Sequence, residues 1–403
     1  FSRHEVPGEL IHYREQLALE GLLGVDVDGI GFGNISVREP NSKNFLITGS
    51  QTGHLKTVTH EHFSRVVHYD ILKNSLKIKQ WWKPNFTNIE TGTGVDLVGK
   101  VRNNLEKAIK RWTLADVSIG CSLSGGLDSS AIVGLLAKSG MKLKTYSLGF
   151  SGKDEEYWNE LPRAAKVAKK WGTDHHELVL NPENLLDDLL EMVWHLDEPY
   201  AGGLPSWNVF KWMSKDVKVG LTGSGGDEMF GNYGKWKGLE GRRFFGLFSK
   251  PFAQTEENFK NEFFEKYYYF SDDEKRNLVF ANKGKGLSDT SGFLYSYFQS
   301  AQTENIRDEI TYTDLSTQLP EEFLMMTDRF SMAHSLEART PFLDREFMWF
   351  MLSIPSSTRT KPNNLKYLLR DAIADLLPRE LVYAGKKGFV IPIKLWLRTK
   401  LRP

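Results

Sequence analysis

The stretch Ser122-Leu-Ser124-Gly125-Gly126-Leu127-Asp128-Ser129-Ser130 gathers four hydroxyls, two glycines and one acid. The glycines let the backbone turn tightly and bring amide N–H groups close to a ligand. Those amides, with the positive end of a following helix, make an anion nest that suits phosphate. Ser124, Ser129 and Ser130 add hydroxyl donors. Asp128 repels a bare phosphate, so its presence calls for Mg²⁺ between its carboxylate and the phosphate oxygens. No lysine follows the glycines, which separates the segment from the G-x-x-x-x-G-K-[ST] loop. A serine-rich helix cap is the bland alternative, but a cap needs neither three serines nor the acid. A second turn of the same kind, Thr222-Gly223-Ser224-Gly225-Gly226-Asp227-Glu228, follows an apolar run. Parallel sheets collect ligand groups at such strand ends. Asp227 and Glu228 offer carboxylates for Mg²⁺ or for a substrate amine; read blandly, they complement a helix dipole.

The first segment resembles the S-G-G-x-D-S loop of the N-type ATP pyrophosphatases, which cleave ATP between its α and β phosphates. Three further stretches are similar to the synthetase domain of the asparagine synthetase family. One is Asp197-Glu-Pro199 with the second turn, continued to Tyr233. Another runs from Leu319-Pro320 through Ser331-Met, Glu337, Arg339 and Pro341-Phe-Leu-Asp344. The last is Lys366-Tyr-Leu-Leu-Arg370 followed by Gly385-Lys386-Lys387-Gly388-Phe389, ending near Trp396. The stretches stand in family order over residues 77–403. The resemblance implies an adenine nucleotide alpha-hydrolase-like fold and a carbon–nitrogen ligase using ATP and Mg²⁺. An aspartate side chain would be adenylated with loss of pyrophosphate, and ammonia would then give asparagine and AMP.

The resemblance also implies site roles. Leu123 and Leu148 would flank adenine, while Ser124, Gly125, Gly126, Asp128, Ser129, Ser130, Thr222 and Gly223 hold the phosphates. Asp128 and Asp227 would bind Mg²⁺, with Asp128, Asp227 and Glu228 catalytic. Ser224, Gly225, Arg339 and Asp344 would receive the amino acid. Lys386 takes the place of the active-site lysine, neutralising charge as pyrophosphate departs. Lys387 competes for that role, and a solvated basic loop stays open for both. For Asp328, Arg329, Glu337 and Arg339, mutual ion pairing is the structural alternative, and His334 reads as structural. Ser224 departs from the acid that asparagine synthetases often carry, which keeps a related amide- or β-lactam-forming ligase open. A tRNA-modifying enzyme stays open as well, and so does an inactive truncated fusion that only binds nucleotide.

These groups must be positioned by alternating elements. The apolar segment Val117–Leu123 reads as a strand, as do Lys144–Phe150, 175–180 and Val217–Thr222. Helical patterns over about 95–111, 130–138, 159–171, 183–195 and 206–214 separate them. Such alternation predicts a parallel sheet covered by helices on both faces. From Phe244 to Leu397 the pattern is helical and aromatic-rich, an extension packed on the sheet.

The chain has 403 residues and a net charge of +1, with 52 basic and 51 acidic side chains. Near-neutrality argues against a nucleic-acid partner. No run approaches the roughly 20 apolar residues that span a bilayer, so membrane insertion is not expected and the cytoplasm is the default location. Cys121 is the single cysteine and reads as a buried strand residue, not as a nucleophile. The glutaminase that opens full asparagine synthetases is therefore not assigned here. Ammonia would come from solution or a separate glutaminase chain, and a homodimer is compatible. The stop at Pro403 reads as a C-terminal truncation. Residues 1–76 form a separate small α/β segment, with a helix over Leu10–Leu23 and strands near 29–38 and 45–50. Arg14-Glu-Gln-Leu-Ala-Leu-Glu-Gly-Leu22, Gly33-Asn-Ile-Ser-Val-Arg38 and Ile47-Thr-Gly-Ser50 resemble the N-terminal part of class II aldolase/adducin proteins. That family's later histidine cluster is missing, and His60-Glu-His62 reads as surface, so no aldolase chemistry is expected.

Overall fold

The computed structural model describes seven short strands within residues 24–77. From residue 83 on it describes all but residues 88, 151–157, 181, 240–242, 245–246, 249–254, 269, 279–288, 304, 386–392 and 400–403. The chain falls into two units, Phe1–Lys83 and Pro84–Pro403. In the first unit, Ser36–Arg38, Phe45–Thr48 and Phe63–Val66 form an antiparallel three-stranded sheet. The helix expected over Leu10–Leu23 and the His60-Glu-His62 triplet lie outside the described residues.

The second unit is built on five parallel strands: β1 (Ile119–Ser122), β2 (Lys144–Phe150), β3 (Asp174–Leu180), β4 (Val219–Leu221) and β5 (Glu337–Arg339). Their order across the sheet is β3-β2-β1-β4-β5. The chain runs outward in one direction from β1 to β3, then returns to the other side of β1 with β4. In such sheets ligands bind where the order reverses, outside the carboxyl ends of the two central strands. Here that place lies beyond β1 and β4.

Between the strands run α1 (Gly94–Trp112), α2 (Leu127–Lys138), α3 (Leu161–Trp171), α4 (Pro182–Leu196) and α5 (Leu204–Met213). Side chains of a strand alternate between faces, and β2 shows what each face needs. Tyr146, Leu148 and Phe150 enter a core with Trp207, Phe210, Met213 and Phe330. The opposite face carries Gly149, where an added methyl would overlap the Leu161 and Asn159 side chains. Helix α3 thus rests on the backbone itself, and the sheet is covered on both sides. Along α1, Leu97, Val101, Leu105, Ala108 and Ile109 recur at helical spacing and are buried. Burying one such large side chain is worth about 1.5–3 kcal/mol.

The extension is mainly helical, as its pattern predicts. Trp236, Phe259, Phe263, Phe264 and Phe298 form a second core in it. Two differences stand out. Arg243–Phe244 and Leu247–Phe248 pair as short strands. The stretch 319–344, expected as helix and turn, contributes helix Met325–Ala333 and then β5. Glu337-Ala-Arg339 has no apolar alternation; pairing with β4 at Val219, Gly220 and Leu221 makes it a strand, a case of tertiary context overriding propensity.

Charges are also buried in the extension. Arg359 and Asp308 are each 1% exposed and pair at 2.7 Å. Removing one partner of such a pair strands the other charge, at about 3–5 kcal/mol. Asp308→Ala should therefore destabilise the protein by that amount in urea unfolding. A loss below about 1 kcal/mol would mean that water already reaches the guanidinium.

Candidate active site

The turn after β1 is shaped before any ligand arrives. Gly125 has φ +73°, and a methyl there would lie 2.6 Å from Arg163 Cβ and 2.7 Å from the Ala164 amide. Only glycine meets both demands. Helix α2 then starts with Gly126 at its N-cap and no side chain capping it. The serines bond within the turn instead: the Ser124 amide donates to Ser129 Oγ at 3.2 Å, and the two hydroxyls lie 3.1 Å apart. Ser124 Oγ also accepts the Gly126 amide at 3.3 Å, so the serines brace the turn, and the start of α2 behind it suits an anion. Ser147 Oγ donates to the Leu123 carbonyl, and the Leu123 amide donates to the Tyr146 carbonyl at 2.8 Å, holding the strand end.

The turn after β4 is its counterpart. Gly225 has φ +88° and caps the five-residue helix α6 (Gly226–Phe230). Thr222 donates its hydroxyl to Ser224 Oγ at 3.2 Å and its amide to the Arg339 carbonyl at 2.9 Å. The two turns touch. A methyl on Gly223 would stand 2.9 Å from Asp128 Cβ and 3.0 Å from the Ser129 amide, and one on Gly226 would overlap the Asp128 carboxylate.

Between them lies a charge cluster. The buried Lys366 ammonium donates to Asp128 Oδ2 at 2.5 Å and pairs with Asp227 Oδ1 at 2.9 Å. Burial works against that ammonium, but the two carboxylates hold it above the ordinary lysine range. Glu228 is buried and accepts the Tyr233 hydroxyl at 3.1 Å. Burial, then the neighbouring Asp227, pushes its carboxyl up to about 7. Tyr233 sits at φ +58°, a strained conformation for a side-chain-bearing residue. Asp128, Asp227, Glu228 and Tyr233 line one cleft together with Leu123, Leu148 and Ser224. Apolar side chains, hydroxyls and acids in one cleft can hold a ring, a phosphate chain and a cationic or amine group.

The asparagine synthase family model matches residues 100–403, three quarters of the sequence. The chain belongs to the asparagine synthase family. Asparagine synthetase [glutamine-hydrolyzing] 1 of Bacillus subtilis (strain 168) is 29% identical over 355 residues, covering 81% of this chain and 54% of that one. Asparagine synthetase [glutamine-hydrolyzing] 3 of the same organism is 28% identical over 338 residues, covering 79% and 52%. The Gallus gallus asparagine synthetase [glutamine-hydrolyzing] is 25% identical over 390 residues, covering 92% and 57%. The chain spans about half the length of these curated relatives. The family match begins beyond residues 8–76 and lends no support to their aldolase/adducin likeness.

Within this frame most residues singled out in the sequence converge. Leu123, Ser124, Asp128, Ser129, Leu148, Thr222, Gly223, Ser224, Gly225, Asp227 and Glu228 all line the cleft. Gly125 and Gly126 shape the turn behind it. Ser130, expected among the phosphate ligands, has a wholly buried side chain and is not among the residues lining the cleft. It lies one position too far along α2 for its hydroxyl to reach an anion at the helix start.

Arg339 and Asp344, expected to receive the amino acid, are engaged elsewhere in this structure. Arg339 donates to the carbonyls of Trp112 and Leu114 at 2.9 and 3.0 Å and pairs with Glu337 at 2.9 Å. Asp344 accepts two bonds from Arg111, at 2.9 and 2.5 Å, and one from Trp112 Nε1 at 3.2 Å. It also caps helix Arg345–Ser353 through the Glu346 and Phe347 amides. Both side chains clamp α1 to the sheet edge and neither lines the cleft. Arg329 pairs with Asp197, so its charge too is spent on structure. His334 packs edge-on against Trp207 at 4.3 Å, and burial pushes it down to about 4. Cys121 is fully buried, which pushes its thiol up to about 12 and makes it inert.

Lys386 and Lys387 lie outside the described residues. Their neighbour Gly385 accepts a bond from Arg163 at 2.7 Å, the residue packed on Gly125. Lys366 is visible in the sequence as part of Lys366-Tyr-Leu-Leu-Arg370, but nothing local marks it as a partner of two distant acids.

Asp344 gives a test of these roles. Asp344→Ala should lower stability by roughly 1–3 kcal/mol, through the lost cap and charged hydrogen bonds, and leave amino-acid affinity unchanged. Burial raises this carboxyl, but the Arg111 guanidinium prevails and holds it below the usual carboxylate range. Its contribution is therefore present above about pH 4 and lost as pH falls through the lowered folded value. The variant should show a shallower acid limb in its pH–stability curve than wild type. A large rise in the Kd for the amino acid with unchanged stability would restore the expected binding role.

Proposed function

We propose that the chain is a carbon–nitrogen ligase of the asparagine synthetase type. ATP activates the side-chain carboxylate of aspartate as an acyl adenylate with loss of pyrophosphate, and ammonia displaces AMP to give asparagine. The carrying observation is the meeting of Asp128 and Asp227 on one ammonium, each from a turn at the strand-order reversal. The similarity to relatives named asparagine synthetases supports the choice of substrate.

The residues divide the work by position. The amides and hydroxyls of Ser124–Ser129 receive the phosphate chain, with Thr222 and Gly223 closing the opposite side. Leu123 and Leu148 take the adenine. Ser224 and Gly225 face the space left for the amino acid. Glu228, buried and already accepting one hydroxyl, takes the hydrogen bond and then a proton of the incoming ammonia, the office that an acid at position 224 fills elsewhere. Lys386 supplies positive charge to the departing pyrophosphate.

Mg²⁺ fits this donor set. Among the described residues no three His, Cys, Asp or Glu side chains converge as a metal cage. Two carboxylates completed by phosphate oxygens and water are the ligands Mg²⁺ takes with nucleotides. Asp128 and Asp227 would hold it, and the ammonium between them stands where a cation belongs. When bound, the ion neutralises phosphate charge as it redistributes. Among the described residues no helix is long and apolar enough to cross a membrane. We place the enzyme in the cytoplasm, with its ammonia from solution or from a glutaminase.

The test is ATP–pyrophosphate exchange with and without aspartate. Exchange should require aspartate, and Asp128→Asn should reduce it by at least about a hundredfold. Lys386→Ala should abolish pyrophosphate release while a nonhydrolysable ATP analogue still binds. Exchange indifferent to aspartate but responsive to another carboxylate would sink the substrate assignment.

A further inference from the structure

Lys366 presents a problem of placement. Its ammonium lies between Asp128 and Asp227, the two acids assigned to the metal, at 2.5 and 2.9 Å. A divalent cation bound by both carboxylates and the lysine in this position exclude one another, by space and by charge. The backbone of Lys366 is fixed: it opens helix Tyr367–Ile373, and its carbonyl accepts the Arg370 amide at 2.9 Å. That helix buries Leu368, Leu369, Ala372 and Ile373, and the preceding Leu365 packs 3.0 Å from where a Gly231 methyl would be. Only the side chain is free to relocate, and lysine is a compact point charge on a flexible stem.

We propose that Lys366 is a resident counter-ion of the metal-ligand pair, one that leaves Asp128 and Asp227 only when nucleotide phosphate offers it another anion. The proposal rests on the metal assignment made above. Without the lysine, two carboxylates held together by touching turns would repel one another or capture any available cation. With it, the pair is neutralised and the turns keep their spacing. A free metal ion gives the displaced ammonium no new partner, so metal alone binds weakly. A triphosphate lying on the Ser124–Ser129 turn brings oxygens to the same place and accepts the ammonium as the metal enters. Metal and nucleotide then bind together, each strengthening the other equally, as linkage demands. Lys366 is in this sense a positioning residue, distinct from the lysine assigned to pyrophosphate departure.

The experiment is a titration of the 403-residue chain with Mn²⁺, read by the electron paramagnetic resonance signal of the free ion, with and without a nonhydrolysable ATP analogue. Wild type should bind Mn²⁺ weakly until the analogue is added. Lys366→Met, close to lysine in size and uncharged, should bind Mn²⁺ without nucleotide at least about tenfold more tightly than wild type. Lys366→Arg, which keeps the charge, should behave like wild type, and thermal unfolding checks that each variant folds. Equal nucleotide-free affinities in Lys366→Met and wild type would overturn the inference. If Lys366→Met does not fold, the wild-type titration decides, because Mn²⁺ affinity indifferent to nucleotide also overturns it. A chain that binds Mn²⁺ under no condition, with nucleotide included, would instead overturn the metal assignment on which the inference stands.

Discussion

One ammonium group neutralises two carboxylates that reach it from opposite sides of the strand-order reversal. Asp128 arrives on the turn after β1, Asp227 on the turn after β4, and Lys366 from the helical extension far along the chain. Two acids at this spacing are costly in a poorly solvated cleft. The constraint therefore reaches outward from the ion cluster. The extension must pack closely enough to deliver the lysine, and the turns must be tight enough to bring both acids within reach of one cation.

The packing of the sheet serves this constraint. A parallel sheet has both faces covered, which leaves the carboxyl ends of its strands to receive ligands. In β2 the two faces are separated residue by residue, with large apolar side chains on one and Gly149 on the other. The carboxyl ends of β1 and β4 are pinned through backbone bonds to their neighbours, Leu123 to Tyr146 and Thr222 to Arg339. The turns begin from fixed positions, and their glycines then determine how near they approach. Arg111, Trp112 and Asp344 fasten α1 to the extension from outside, which explains charged residues that contribute nothing to the cleft.

Much of this is legible from local pattern. The bounds expected for the strand Lys144–Phe150 are those observed, because Tyr146, Leu148 and Phe150 alternate with Thr145, Ser147 and Gly149. Both glycine-rich turns are recognisable by composition, and all but one of the residues singled out in them line or shape the cleft. What local pattern leaves out shares a cause. Arg339 and Asp344 have the charges an amino acid needs, but whether a charge faces a cleft or a neighbouring helix depends on elements far away in sequence. Lys366 escapes notice for the mirror-image reason: its partners lie on turns that no local window includes. The strand Glu337–Arg339 exists only because β4 lies beside it. Ser130 differs from Ser129 on a finer scale, since one step along a helix rotates a side chain about 100°.

The contact between the two turns carries an evolutionary consequence. Gly223 and Gly226 abut the backbone and side chain of Asp128 and Ser129 with no room for a methyl group. Neither motif can drift in shape unless the other moves in concert, although a long stretch of chain separates them. Chimaeras within this family should thus inherit both turns from a single parent, while the helices strung between them are free to come from elsewhere.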